Sequence, residues 1–205
     1  MAVGLWGQKV GMTQLFNGDK VEPVTAIDVR GWLVTGLRTP ERDGYAAVQV
    51  GRVRDRYLDA DYSPAWLRDK KKYFRVVREI KTDADLGGIK VGGTVPFGEQ
   101  IAQGDVVDVF GKTRGRGFAG VVKRHNFGGP PGSHGSTMGN RPGSIGFMCR
   151  NGRVVKQKDM PGRMGCVQRA VRNLEVVSVE KDAGVVFVRG AVPGHSGTLL
   201  FVRKS

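Results

Sequence analysis

Cysteine is scarce in this 205-residue chain, with Cys149 and Cys166 the only two. Two cysteines cannot staple a small secreted scaffold, so the default setting is a reducing intracellular compartment. No apolar run approaches the roughly 20 residues that a membrane-spanning helix needs. The opening MAVGLWGQKVGMTQLF is broken by Gly and Lys and lacks the compact apolar segment of a secretory signal. Acidic residues are nearly missing from one long stretch, residues 109–163, where Asp159 stands alone among eleven basic side chains. Sustained apolar periodicity is missing there too. A segment so poor in buriable surface cannot offset the entropy of ordering its own backbone.

What that stretch does contain is positive charge and backbone freedom. Ten of the fourteen net positive charges fall within it, together with 13 of the 32 glycines and 4 of the 9 prolines. The pI near 10.2 is therefore concentrated in one place, the signature of a partner that is a polyanion. An anionic membrane fits less well than nucleic acid, because these cations sit among Gly and Pro and not along one face of an amphipathic helix. Phe118, Val121, Phe127, Ile145 and Phe147 are interleaved with the cations, and the stretch is anchored at both ends. That pattern suits a segment threaded through folded RNA, with arginine forks on phosphates and flat groups against bases.

The flanking sequence reads as short strands. The run KVGMTQLF leads into Asn17-Gly18, a favoured hairpin dipeptide, and VEPVTAIDV resumes the strand pattern. Residues 32–38 and 45–50 read as further strands, separated by a turn-rich TPERDG. Ser63 and Pro64 are placed as the cap and first position of a short helix over residues 65–72, followed by a strand over 73–81 and a turn over 83–88. Strands at 106–110, 171–179, 184–189 and 197–202 complete the pattern. The expected architecture is mainly β: a β-barrel built from residues 1–51, 94–110 and 164–205, a small inserted α+β region at 52–93, and a basic loop extension at 111–163.

Catalytic and metal motifs fail on spacing. Gly115 to Gly120 match the dinucleotide fingerprint letter for letter, yet Gly128-Gly129-Pro130-Pro131 arrives before a full helix can form, and no acid precedes Asp159. Gly111-Lys112-Thr113 lacks the upstream glycine of a phosphate-binding loop. His125, His134, Cys149 and Cys166 are separated by 9, 15 and 17 positions, without the paired ligands of a zinc site. No nucleophile elbow, ordered triad or carboxylate pair is present. No enzyme, metal or cofactor is expected. An enzyme that binds an anionic nucleotide through the Gly-rich run, and a basic linker without a specific partner, remain the alternatives at this point.

Several motifs resemble a known family. GKTRGRGFAGVVKRHNF at 111–127, GGPPGSHG at 128–135, RPGSIG at 141–146 and MPGRMG at 160–165 are similar to the bacterial type of large-subunit ribosomal protein number three. KVGMT at 9–13, PVT at 23–25, DGYAAVQVG at 43–51, NLEVV at 173–177 and RGAVPG at 189–194 follow in family order. The resemblance implies a translation-protein-type β-barrel, an extension reaching through ribosomal RNA towards the peptidyl transferase centre, an early role in assembly and no enzymatic activity. It implies large-subunit ribosomal RNA and neighbouring large-subunit ribosomal proteins as partners, no membrane or small-molecule substrate, and a cytoplasmic ribosome, with an organellar one left open.

On this reading Lys112, Arg114, Arg116, Lys123, Arg124, Arg141, Arg150, Arg153, Lys156, Lys158 and Arg163 are the candidate RNA-binding cations. His125, Phe127 and His134 are expected to stack or hydrogen-bond, and Gly115, Gly117, Gly143 and Gly146 to allow close backbone approach. The chain departs from the family at LDADYSPAWLRDKKKYF in the inserted region, where a stretch rich in Gly, His, Phe, Lys and Ala is usual. It departs again at Phe147-Met148-Cys149-Arg150, where Cys149 replaces a glutamine that relatives can carry methylated, and at Gln157 and Asp159, where the family prefers Gly and Lys.

Overall fold

The computed structural model describes residues 4–58, 60–82, 89–95, 100–146 and 152–205. The chain divides into two compact units, one of Met1–Lys112 with Gln168–Ser205 and one of Thr113–Val167.

The first unit is built on a closed six-stranded barrel. Its strands are β1 (Leu5–Asn17), β2 (Lys20–Asp28), β6 (Val106–Lys112), β9 (Gln168–Glu180), β10 (Val185–Arg189) and β11 (Leu199–Lys204). The ring runs β1-β11-β6-β9-β10-β2 and closes between β2 and β1, with every pairing antiparallel. Closure leaves a narrow interior that side chains fill. Leu5, Ile27, Val107, Val109, Val176, Val186, Val188, Leu200 and Val202 are buried in its core. At Gly7 and Gly111 a Cβ would lie 2.5 Å from Ile27 and 2.6 Å from Leu200, so a side chain at either position would displace the core residue it meets.

The strands β3 (Trp32–Arg38), β4 (Ala47–Val53) and β5 (Phe74–Lys81) form a separate antiparallel sheet in that order. This differs from the expectation that residues 1–51 all belong to the barrel. β3 and β4 pair instead with a strand from the 52–93 region, because Val48, Val50 and Ile80 present one apolar face that covers the barrel core together with Trp32 and Val34. A buried ion pair crosses from ring to sheet: Arg52 Nη2 lies 3.1 Å from Asp28 Oδ2, and Arg30 Nε reaches Asp28 Oδ1 at 3.0 Å.

Local expectations hold with shifts. The first hairpin turns on Gly18 and Asp19 between paired Asn17 and Lys20, one residue later than the dipeptide suggested. Gly18 takes φ 58°, which glycine adopts at the first central position of a tight hairpin. A single turn of helix, α1 (Pro40–Asp43), links β3 to β4. The helix expected over 65–72 is two short turns, α2 (Ala65–Arg68) and α3 (Lys70–Tyr73), broken at Asp69 with φ −112° and ψ 58°. The break lets Trp66 and Tyr73 stack, with ring centroids 5.2 Å apart and planes 6° from parallel. The turn expected over 83–88 lies outside the described residues.

Three separated motifs converge at one end of the barrel. Lys9 is buried and its Nζ donates to the carbonyls of Val192 (3.0 Å) and Gly194 (3.2 Å). Thr25 Oγ1 donates to Gly190 O at 2.6 Å, and the Gly190 N–H donates to Pro23 O at 2.8 Å. The KVGMT, PVT and RGAVPG segments are therefore parts of one loop clamp.

Candidate nucleic-acid interface

The candidate stretch leaves the barrel after Lys112 and re-enters it at Gln168, and these two residues face each other in the β6–β9 ladder. Nothing in that arrangement requires a long connection.

The second unit begins with two antiparallel legs. Thr113 N–H donates to Val167 O (2.9 Å), Arg116 N–H to Met164 O (2.8 Å) and Met164 N–H to Gly117 O (2.8 Å). The pairing continues into two-residue strands, β7 (Phe118–Ala119) against β8 (Gly162–Arg163). Gly165 lies at φ 75°, and a Cβ on it would collide with the carbonyl oxygen of Arg114. That contact makes Gly165, which was absent from the candidate glycines, the tightest point of the stem. Among those candidates, Gly117 (φ 69°) and Gly143 (φ 77°) have the left-handed backbone that favours glycine. Gly115 and Gly146 have no neighbour that a Cβ would crowd.

Above the legs, Gly120 starts a five-residue helix, α4 (Val121–His125), which Asn126 ends in the left-handed conformation at φ 61°. Val121 is buried on its inner side. Arg124 is half-buried, and its Nη1 donates to Met160 O at 2.7 Å, filling space that a side chain at Gly162 would take. His125 Nδ1 lies 3.1 Å from Asp159 Oδ1, and its Nε2 lies 3.2 Å from Met160 O. Sequence reasoning expected Arg124 and His125 to face RNA, whereas here both tie α4 to the returning leg. Phe127 is half-buried, with its ring 6.4 Å from that of His125.

Beyond this knot the chain is open to solvent. Residues 131–146 and 152–159 are all exposed. His134 is exposed and sits at φ 61°. Lys112, Arg116, Lys123, Arg141, Arg153, Lys156, Lys158 and Arg163 are exposed, and none has a carboxylate partner among the described residues. Arg114 is exposed as well. Arg150 lies outside the described residues, as do Phe147, Met148 and Cys149. Phe118, 77% exposed beside Arg163, is the most exposed large apolar side chain described, and its aromatic face among cations was legible in the sequence. Arg169, exposed and paired with Gly111 in the barrel unit, is a further basic residue beyond the expected boundary at 163.

The Gly115–Gly120 run, which matches the dinucleotide fingerprint in sequence, is used as one leg of the stem, and the helix after it has only five residues. No group of three His, Cys, Asp or Glu side chains placed to hold a metal occurs among the described residues. No helix among them is long and apolar enough to cross a membrane. The second unit is a hydrogen-bonded stem bearing exposed cations, with the exposed Phe118 among them.

The pattern of the family described as ribosomal protein L3 matches residues 79–185, from β5 to the start of β10, including the whole of the second unit. Similar proteins cover nearly the full chain. The large ribosomal subunit protein uL3 of Thermobifida fusca is 43% identical over 98% of this chain and 94% of its own length. Those of Thiobacillus denitrificans and Exiguobacterium sibiricum are 42% and 41% identical, each over 100% of this chain and 98% of its own. With a closed barrel, a stemmed basic extension and this extent of identity in agreement, the chain belongs to the ribosomal protein L3 family.

Proposed function

We propose that this protein is a structural, non-enzymatic constituent of the large ribosomal subunit that binds large-subunit ribosomal RNA and sits among neighbouring subunit proteins. The barrel, of the translation-protein type, docks on the RNA surface, and residues 111–163 enter it. The observation that carries this reading is the row of exposed cations, among them Lys123, Arg141, Arg153, Lys156 and Lys158, without carboxylate partners among the described residues, on an arm whose residues 131–146 and 152–159 are open to solvent. Such an arm neutralises phosphates and releases their counterions.

In this reading Lys112, Arg114, Arg116, Lys123, Arg141, Arg150, Arg153, Lys156, Lys158 and Arg163 take phosphates. Phe118, Phe127 and His134 meet bases or sugars. Arg124 and His125 brace the stem. The resemblance of the motifs adds that the arm points towards the peptidyl transferase centre and that the protein joins the subunit early.

The test is sedimentation of cell extract on a sucrose gradient after a high-salt wash. The intact protein is compared with one in which residues 120–161 are replaced by a two-residue turn. Because Ala119 and Gly162 already face each other, the truncated stem closes without disturbing the barrel. The intact protein is expected with the large subunit, and the shortened one is expected to be lost or to stall assembly. Free, slow sedimentation of the intact protein would refute the reading. For purified protein and RNA, six phosphate contacts give a log–log salt slope of roughly −4 to −5.

A further inference from the structure

Outside residues 109–163 the chain carries 22 basic and 18 acidic residues. Residues 54–78 alone hold eight basic and four acidic ones, so this short region contains the whole net charge of the remainder. The rest of the chain is neutral in balance, and a second basic centre stands apart from the extension in sequence. It falls before the family-matched residues 79–185.

The fold gathers these cations on one scaffold. Arg54 follows β4, and Arg56 lies on the 3-10 turn Asp55–Tyr57. The Arg54 backbone N–H donates to Tyr73 O, and its Nη2 donates to Lys71 O at 2.9 Å, while Arg56 Nη2 reaches Lys72 O at 3.4 Å. The two arginines are thus laid alongside Lys71 and Lys72 of α3. Arg75 joins Arg54 and Arg56 around one open groove, and Arg68 joins Lys71 and Lys72 around another.

All six side chains are exposed, and none forms an ion pair with a carboxylate among the described residues. Beneath them lies an aromatic cluster of Tyr57, Tyr62, Trp66, Tyr73 and Phe74. It holds the backbone of the patch, with the Arg56 guanidinium 4.7 Å over the Tyr57 ring and Lys72 Nζ 5.3 Å over the Tyr73 ring. Ordered cations of this kind bind without the entropy cost that an open arm carries.

We infer that the face formed by Arg54, Arg56, Arg68, Lys71, Lys72 and Arg75 is a second, preformed RNA-binding surface that grips the phosphodiester backbone independently of the extension. It rests on the reading of the protein as an RNA binder. The two grooves are open and lined mainly by Arg, Lys and Asp, with Leu67 the one apolar lining residue, so they offer no seat for the apolar anchors of a peptide. Arginine forks spread over consecutive elements suit successive phosphates.

The test uses full-length protein and a 20-base-pair RNA duplex of non-ribosomal sequence, with affinity followed by fluorescence anisotropy across a salt series. One variant removes six of the eleven cations of the extension (Arg116→Gln, Lys123→Gln, Arg141→Gln, Arg153→Gln, Lys156→Gln, Lys158→Gln). A second adds Arg54→Gln, Arg56→Gln, Lys71→Gln, Lys72→Gln and Arg75→Gln to the first. The first is expected to keep measurable, salt-dependent binding. The second is expected to bind at least tenfold more weakly, with a log–log slope shallower by about 3 to 5.

Equal affinity and slope for the two variants, with Trp66 fluorescence unchanged, would overturn the inference. So would competition by poly-glutamate that outdoes the duplex, which would assign the patch to an acidic protein. If the second variant fails to fold, Lys71→Gln with Lys72→Gln alone, both solvent-exposed side chains, must still make the slope shallower by about 1 to 2. An extension variant that binds as tightly as intact protein would count against the function proposed for the extension and leave the patch standing.

Discussion

The barrel unit and the extension treat charge in opposite ways. In the barrel unit, cations are matched to acids: Arg189 to Glu22 (2.6 Å) and Glu175 (2.7 Å), Arg203 to Asp108 (3.0 Å), Lys204 to Asp105 (2.7 Å), and Arg38 to Asp43 (2.7 Å) and Glu79 (3.2 Å). Between Thr113 and Val167 the sequence has a single acid, Asp159, and it faces the His125 ring. A unit that folds on its own core can satisfy its charges internally. An arm that meets a polyanion must leave them unsatisfied, because each phosphate contact needs a cation not already neutralised. The basic patch at Arg54 to Arg75 combines the two designs, with an ordered scaffold below and uncompensated charge above.

The comparison breaks most sharply at Asp28. Asp28→Ala leaves the buried Arg52 guanidinium without its carboxylate, and loss of one partner of a buried pair costs about 3–5 kcal/mol. Chemical denaturation should show that loss, while the salt slope for RNA binding stays unchanged. In the stem, Gly165→Ala forces a side chain into the left-handed region and against Arg114 O, costing about 1–2 kcal/mol for the backbone conformation alone. Hydrogen exchange at the Arg116 and Met164 amides should accelerate, with the melting of the barrel unmoved.

Acidification should also separate the two regions. Asp108 is held below the usual carboxylate range by the Asn173 N–H and then by Arg203, and Asp105 by Lys204 and then by the Ala102 N–H. Arg189 does the same for Glu22, and for Glu79 the Tyr45 hydroxyl leads, followed by Arg38. Because these values are depressed by folding, their contribution is complete above the ordinary carboxylate range near pH 4 and is lost as pH falls through the depressed values. Denaturation midpoints at pH 7 and pH 3 should differ for the barrel, with these four carboxylates responsible. The smallest effect is expected for Arg153→Gln, which should leave stability unchanged and make the RNA salt slope shallower by roughly 0.7–0.9.

Much of this was legible in the sequence. The strands at 32–38 and 106–112 declare themselves by β-branched and aromatic content. The extension declares itself by charge, glycine and the lack of periodicity. Most of the candidate cations are exposed, whereas Arg124 and His125 contact the returning leg, since only the folded stem brings Met160 and Asp159 beside them. Gly165 escaped notice because its carbonyl neighbour, on Arg114, is about 50 residues away along the chain. The Phe147-Met148-Cys149-Arg150 run, singled out by its departure from the family, lies outside the described residues.

By itself, the sequence determined the β content, the location of the polycation and the family, because periodicity, charge density and motif order are properties of neighbouring residues. Tertiary structure alone decided that β3 and β4 leave the ring to pair with β5, that Lys9 reaches across to Val192, and that the basic residues after β4 lie beside those of α3. Those outcomes depend on which distant surfaces bury each other best, and partner choice between distant segments is not written in any local pattern.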